Sequence, residues 1–178
     1  MECMEKEYKF EPLKIKDFEL IFKWRNTKQV FKWWRTIPKT LEEIKKEYLK
    51  KIKSKIIFPY IVYLQDKAIG YIQAYYASEV GGDWWTNQPD GTYGIDTFIG
   101  ENEFLSKGHG PAFIKQLTDK LFKERGARKI ITDPLLKNLQ AICAYKKVGF
   151  KRKGIINTPD GKAVLMELYN FKAKKGFS

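Results

Sequence analysis

Lys107-Gly108-His109-Gly110-Pro111, together with the chain that follows it to Gly149-Phe150, is the stretch that decides the fold. After the glycine turn, Ala112, Phe113, Leu117, Leu121 and Phe122 recur at helical spacing and Gly126 offers a stop, so a helix is predicted from Gly110 to Arg125. A β-rich run from Arg128 to Thr132 follows, then a second helical run from Asn138 to Val148 that ends at Gly149. Strand, glycine turn, helix, strand and helix in this order define an α/β arrangement. Downstream, Phe150–Asn157 and Ala163–Tyr169 read as strands joined across the turn sequence Thr158-Pro159-Asp160-Gly161. Upstream, Tyr8–Ile15 reads as a strand, with Asp17 as N-cap of a short helix carrying Phe18, Ile21, Phe22 and Arg25 on one face. Thr40 and Glu43 fit a capping box ahead of the stripe Leu41, Ile44, Tyr48 and Ile52. Pro59–Leu64 and Ala68–Tyr76 form a predicted hairpin through Gln65-Asp66-Lys67, a loop runs from Glu79 to Thr92, and Tyr93–Ile99 is the next strand. Hairpin-paired strands first and helix-linked strands later predict a mixed central sheet with helices on both faces.

The chain has 178 residues, so one domain over residues 1–178 is expected. Its longest apolar stretch, Ile56–Leu64, contains Pro59 and is too short to span a bilayer, so no membrane role is expected. The charged opening MECMEKEYK lacks the apolar core of a secretory signal, which predicts a cytoplasmic protein. Cys3 and Cys143 form no framework, and with one His an all-protein zinc site is not expected, so no metal is assigned.

Thirty-four Lys and Arg against 21 Asp and Glu give a net charge of +13, which on its own suggests nucleic acid or another polyanion. The charge is unevenly spread. From Ala68 to Ser106 there is no basic residue, while Glu79, Asp83, Asp90, Asp96, Glu101 and Glu103 all fall there. An RNA-binding surface interleaves aromatics with Lys or Arg, yet Trp84, Trp85 and Tyr93 lie in this window. A site for a cation fits better, and a nucleic-acid-binding domain becomes the minor reading.

Two motifs carry chemistry. Gly108 and Gly110, without Cβ atoms, let backbone N–H groups approach a phosphate, while Lys107 adds charge and the following helix its positive dipole end. On the second helix, Asn138, Ala141, Tyr145 and Val148 share a face. Each motif alone also has an ordinary structural reading, Tyr145 as a core aromatic and Gly149 as a C-cap.

Taken together, the two motifs resemble the GCN5-related N-acetyltransferase (GNAT) superfamily. That resemblance implies acetyl-CoA as cosubstrate, a pyrophosphate cradled by Lys107, Gly108, His109 and Gly110, Asn138 on the CoA arm, and Tyr145 protonating the departing thiolate. Leu105 departs from the polar residue often found at the start of that turn. Lys23-Trp24-Arg25-Asn26, Trp33-Trp34, Gly70-Tyr71-Ile72-Gln73, Asp83-Trp84-Trp85, Gly94-Ile95-Asp96, Thr132-Asp133-Pro134 and Thr158-Pro159-Asp160-Gly161 further resemble aminoglycoside 6'-N-acetyltransferases of the type Ib kind, from about residue 13 to residue 170. The family's acidic position beside the second Trp pair falls on Gly82 or on Asp83.

The resemblance implies a small polycationic amine as substrate and Asp96 as the residue that positions the reacting ammonium and takes its proton. Trp33, Trp34, Trp84 and Trp85 are expected to offer ring faces to sugars and ammonium groups, with at least one of the four in the core. Gln73, Asp83, Asp133 and Asp160 are further substrate contacts, Asp160 also having a plain turn reading. His109, inside the glycine turn, is expected near phosphate or in solvent and is not the base. Cys143 has no His partner, reads as a small buried residue, and leaves direct attack in a ternary complex as the mechanism. The competing enzyme readings are acetylation of a protein N-terminus or of a siderophore hydroxylysine. A monomer or a homodimer is compatible with the sequence.

Overall fold

The computed structural model describes residues 7–34, 36–80, 85 and 87–170. Seven strands form one mixed sheet in the order β1-β2-β3-β4-β5-β7-β6. By contact the chain divides into two compact units, Met1–Gln73 with Thr97–Phe113, and Ala74–Asp96 with Ile114–Ser178.

In the first unit, β1 (Tyr8–Pro12) pairs antiparallel with β2 (Ile57–Leu64), Tyr8 opposite Leu64 and Pro12 opposite Tyr60. The expected strand to Ile15 stops three residues early, where Ile15–Asp17 makes a single 3-10 turn. Asp17 precedes α1 (Phe18–Arg25), but its carboxylate accepts from the Lys14 N–H at 2.8 Å and does not cap the helix. A four-residue helix, α2 (Lys28–Phe31), follows that the sequence pattern did not reveal. The Thr40 hydroxyl caps α3 (Leu41–Lys53) by accepting from the Glu43 N–H, while Glu43 reaches back to the Lys39 N–H at 2.8 Å. The stripe on α3 buries Ile44 and Tyr48 against Phe18, Ile21, Trp24, Ile61, Tyr71 and Phe98. Trp24, fully buried in this core, donates its indole N–H to Glu101 Oε1 at 2.8 Å.

β3 (Lys67–Tyr76) follows β2 through a tight turn in which Gln65 has φ 53°, and the chain passes into the second unit after Gln73. There, α4 (Ala77–Val80) opens the expected loop with one helical turn. β4 (Thr92–Ile99) pairs in parallel with β5 (Lys129–Thr132), Thr92 opposite Lys129 and Gly94 opposite Ile131. α5 (His109–Glu124) connects them, as a parallel pair requires. β5 pairs antiparallel with β7 (Gly161–Tyr169), and β7 with β6 (Lys151–Thr158), whose register shifts between Arg152 and Gly154. α6 (Leu139–Val148) ends at Gly149, where φ is 110°. Among the described residues no helix is long and apolar enough to cross a membrane, and no group of three or more His, Cys, Asp or Glu is placed to hold a metal ion.

Candidate active site

Within the second unit, β4, β5 and α6 bring Asp96, Asp133 and Tyr145 near one another, and β3 adds a residue that the sequence reading missed, Tyr75. The parallel ladder between β4 and β5 runs as far as Gly94 and Ile131; Asp96 stands two residues further along β4, and Asp133 two residues beyond Ile131, just past the end of β5. The Tyr75 hydroxyl donates to Asp96 Oδ1 at 3.4 Å. Burial pushes the Tyr75 phenol well above its ordinary range, and the charges of Asp96 and Asp133 push it further in the same direction. Tyr145, 5% exposed, is raised chiefly by burial; a hydrogen bond with Thr132 works against this, and the charges of Asp96 and Asp133 add lesser upward pushes. Both phenols therefore keep their protons at neutral pH, poised beside two carboxylates.

Gly94 explains how a phenol comes to lie there. A Cβ on Gly94 would sit 2.2 Å from Cε2 of Tyr75, so the ring passes directly over the glycine. The ring also stacks on Trp85, with centroids 5.5 Å apart and planes 10° apart. Trp85 is buried and is the core member expected among the four tryptophans. Asp83 and Trp84 lie outside the described residues.

Asn138 is the N-cap of α6, its Oδ1 accepting from the Ala141 N–H at 3.1 Å. This occupies the side-chain oxygen and leaves the amide NH₂ as the group that could serve a ligand. Asp133, partly buried, follows β5 directly. Asp160 is exposed at the β6–β7 turn, where its N–H donates to Thr158 Oγ1 at 3.2 Å and Gly161 has φ 120°. The turn accounts for that sequence without a ligand. Cys143 is exposed on α6, which corrects the expectation of a buried residue. It stands about 200° around the helix from buried Tyr145.

In the first unit, the glycine turn opens α5. Gly108 has φ 82°, a conformation costly for a residue with a Cβ, and a Cβ built there would meet no atom within 4 Å. Gly110 has no such backbone requirement, and its Cβ would only touch Ile99 Cδ1 at 3.8 Å. Among the described residues nothing demands a glycine at 110. Lys107 is exposed. His109 is 4% exposed and its Nδ1 lies 2.7 Å from the Tyr8 hydroxyl, so of the two expected places, near phosphate or in solvent, the second does not hold: the imidazole packs inward, edge-on to Phe104.

Also in this unit, Gln73 is buried and accepts from the Tyr71 hydroxyl at 2.7 Å. Trp33 lies 4.6 Å from Lys32 Nζ, and Trp34 packs on Phe98 and lies under the Arg25 guanidinium at 4.8 Å. The rings that sequence reasoning offers to a substrate's ammonium groups thus already carry the protein's own cations.

A mixed sheet with a glycine turn opening the helix between two parallel strands is the architecture of an N-acetyltransferase. The family model for the acetyltransferase (GNAT) domain matches residues 14–158, and the chain belongs to this family. It is 36% identical over 154 residues to the aminoglycoside N(6')-acetyltransferase type 1 of Klebsiella pneumoniae, covering 84% of this chain and 77% of that protein. Among solved structures it is similar to AAC(6')-Ib in complex with paromomycin and acetyl-CoA, with a TM-score of 0.87 and 33% identity over 97% of this chain and 98% of that one. It is likewise similar to AAC(6')-Ib with coenzyme A and kanamycin, with a TM-score of 0.86 and 33% identity over 97% of this chain and all (100%) of the other. The resemblance read from the motifs is borne out, as is the α/β fold with a mixed sheet.

Proposed function

We propose that this chain is an acetyl-CoA-dependent N-acetyltransferase acting on an aminoglycoside, with the 6'-amino group as acceptor, and that residues 1–178 form one N-acetyltransferase domain. The observation that carries the reading is the grouping of Asp96, Asp133, Tyr75 and Tyr145 in a family of acetyltransferases. The match of the family model across both compact units supports a single functional domain.

The glycine turn fits the proposed cosubstrate: Gly108 opens on free space, and Gly110 keeps a small profile that no internal contact requires. Backbone N–H groups at the start of α5 and the Lys107 ammonium would hold the pyrophosphate, and Asn138 the CoA arm. His109 contributes its backbone while Tyr8 holds its ring. Acetyl-CoA supplies the thioester. Asp96 accepts a proton from the substrate's ammonium, directly or through water, freeing the nitrogen lone pair to attack the thioester carbonyl. As the carbon–sulfur bond breaks, Tyr145 gives its proton to the leaving thiolate, and the second proton that the nitrogen sheds on becoming an amide restores the phenol. Burial keeps the phenol protonated at neutral pH, so that proton is in place when the bond breaks.

Asp133 adds negative charge near the reacting nitrogen, and Gln73, Asp83, Trp33, Trp34 and Trp84 complete the proposed set of substrate contacts, with Trp85 in the core and Asp160 serving its turn. Mass spectrometry of kanamycin and tobramycin after incubation with acetyl-CoA and protein tests the reading, with Asp96→Asn and Tyr145→Phe alongside. A single added acetyl group that is lost in both folded variants is the expected result. No acetylated drug from a folded protein that binds acetyl-CoA would discard the aminoglycoside, and undiminished activity in either variant would discard that residue's role.

A further inference from the structure

The Tyr75 side chain is built into the fold with more constraint than a core aromatic needs. One side of its ring lies against the backbone of Gly94, two residues before Asp96 on the same strand, at a separation that excludes even a methyl group. The ring also stacks on the indole of Trp85. Held by both contacts, the ring has its hydroxyl at one end, and that hydroxyl meets Asp96 Oδ1. We infer that Tyr75 is a positioning residue for the acetyl transfer: its phenol fixes the carboxylate of Asp96 through Oδ1 and turns the remaining oxygen toward the reacting amine. This rests on the reading of Asp96 as the residue that takes the ammonium proton.

The geometry favours positioning over direct acid–base work. Tyr75 is buried behind Trp85 and its phenol resists ionisation, so it serves as a standing donor, not as a base. The separation of 3.4 Å is long for a hydroxyl–carboxylate bond. Catalytic hydrogen bonds are often long without substrate and tighten once the reacting groups are bound. A carboxylate held at one oxygen spends less of its time in rotamers that point away from the amine, and the benefit appears in the chemical step more than in binding.

The test is a double-mutant cycle of Tyr75→Phe and Asp96→Asn, read as kcat and KM for kanamycin at saturating acetyl-CoA, with thermal melts on every variant. Tyr75→Phe keeps the ring that packs on Gly94 and Trp85 and removes only the hydroxyl. We expect it to melt close to the parent, to keep its KM, and to lose about tenfold in kcat, the effect of one donor to a charged group. In the Asp96→Asn background the same change should have little further effect, because a residue acting through another is silent once that other is disabled. Full activity in Tyr75→Phe, or losses that multiply in the double variant, would overturn the inference and leave the proposed function standing. Full activity in Asp96→Asn alone would instead remove the base assignment on which the inference rests.

Discussion

Gly94→Ala is the substitution whose effect can be worked most directly from the structure. The added Cβ would lie 2.2 Å from Tyr75 Cε2 and 2.5 Å from Cζ. Carbon atoms in contact sit about 3.5–4.0 Å apart, so one of the two must retreat by roughly 1.5 Å. The ring cannot retreat freely, because it is buried and stacks on Trp85, which is itself buried. Overpacking of this kind costs about 1–3 kcal/mol, and a buried ring packed on a buried indole argues for the upper end. In a chain of this size that corresponds to a fall of about 6–12 °C in melting temperature. Differential scanning calorimetry reads it, and the same preparation should lose turnover because the Tyr75 hydroxyl moves away from Asp96. The cause is isolated by adding Tyr75→Ala: with the ring gone, Gly94→Ala should cost almost nothing further. The two changes together should therefore be less damaging than their sum by nearly the whole cost of Gly94→Ala, about 3 kcal/mol. A Gly94→Ala protein that melts with the parent, or a double variant whose losses simply add, would refute the claim that the ring is wedged over this glycine.

Gly110→Ala should leave stability unchanged or slightly improved, since its Cβ meets only ordinary contact, yet raise the KM for acetyl-CoA; melts and initial rates separate the two. Gly108→Ala differs, costing about 1–2 kcal/mol in the left-handed conformation as well. Glu101 is held below the usual carboxylate range first by Lys23 and next by the Trp24 indole. Its stabilising contribution is therefore present above the ordinary Glu value and lost as pH falls through the depressed one, so Glu101→Gln should be less stable than the parent at pH 7 and converge with it below about pH 4, as denaturant melts across pH would show. Cys143→Ala should retain full activity, because the thiol is exposed on α6 away from Tyr145; an inactive but folded variant would point to an acetyl-enzyme instead of direct transfer.

What the sequence made legible was what is local. The turn at Gly108, the stop at Gly149 and the hairpin turn at Thr158–Gly161 all depend on residues within a few positions of one another, and each is found where spacing put it. Asp96 and Tyr145 were singled out by resemblance, and the structure adds the neighbours that make their chemistry intelligible. Tyr75 was missed because its importance comes from another strand: within Ala74-Tyr75-Tyr76 it reads as one more β-forming aromatic. The available signal was Gly94 inside a strand pattern, which marks a close approach without naming what approaches. The direction of the His109 ring was likewise out of reach, since Tyr8, which fixes it, is about a hundred residues away in sequence. The exposure of Cys143 could have been read from the helix itself, because Ile142 and Tyr145 define the buried side and position 143 turns away from it.

The charge pattern gains a sharper meaning from these contacts. The segment from Ala68 to Ser106 carries six acids and no base, but its acids are not equivalent. Glu101 is paired with Lys23 and bonded to Trp24, and Glu103 is paired with Lys67, so basic residues outside the segment already answer two of them. Glu79 and Asp90 are exposed to water, where a single carboxylate is heavily screened. Asp96 is different: it is partly buried, held by a phenol, and accompanied by Asp133 in its influence on both tyrosines. Attraction for a cation is strongest where water is displaced and a second carboxylate adds to the first. A protein of net charge +13 can therefore offer a cation a local negative field by placing two carboxylates at one partly buried place. The low count of acids overall is then no argument against such a substrate, because their placement decides the local field.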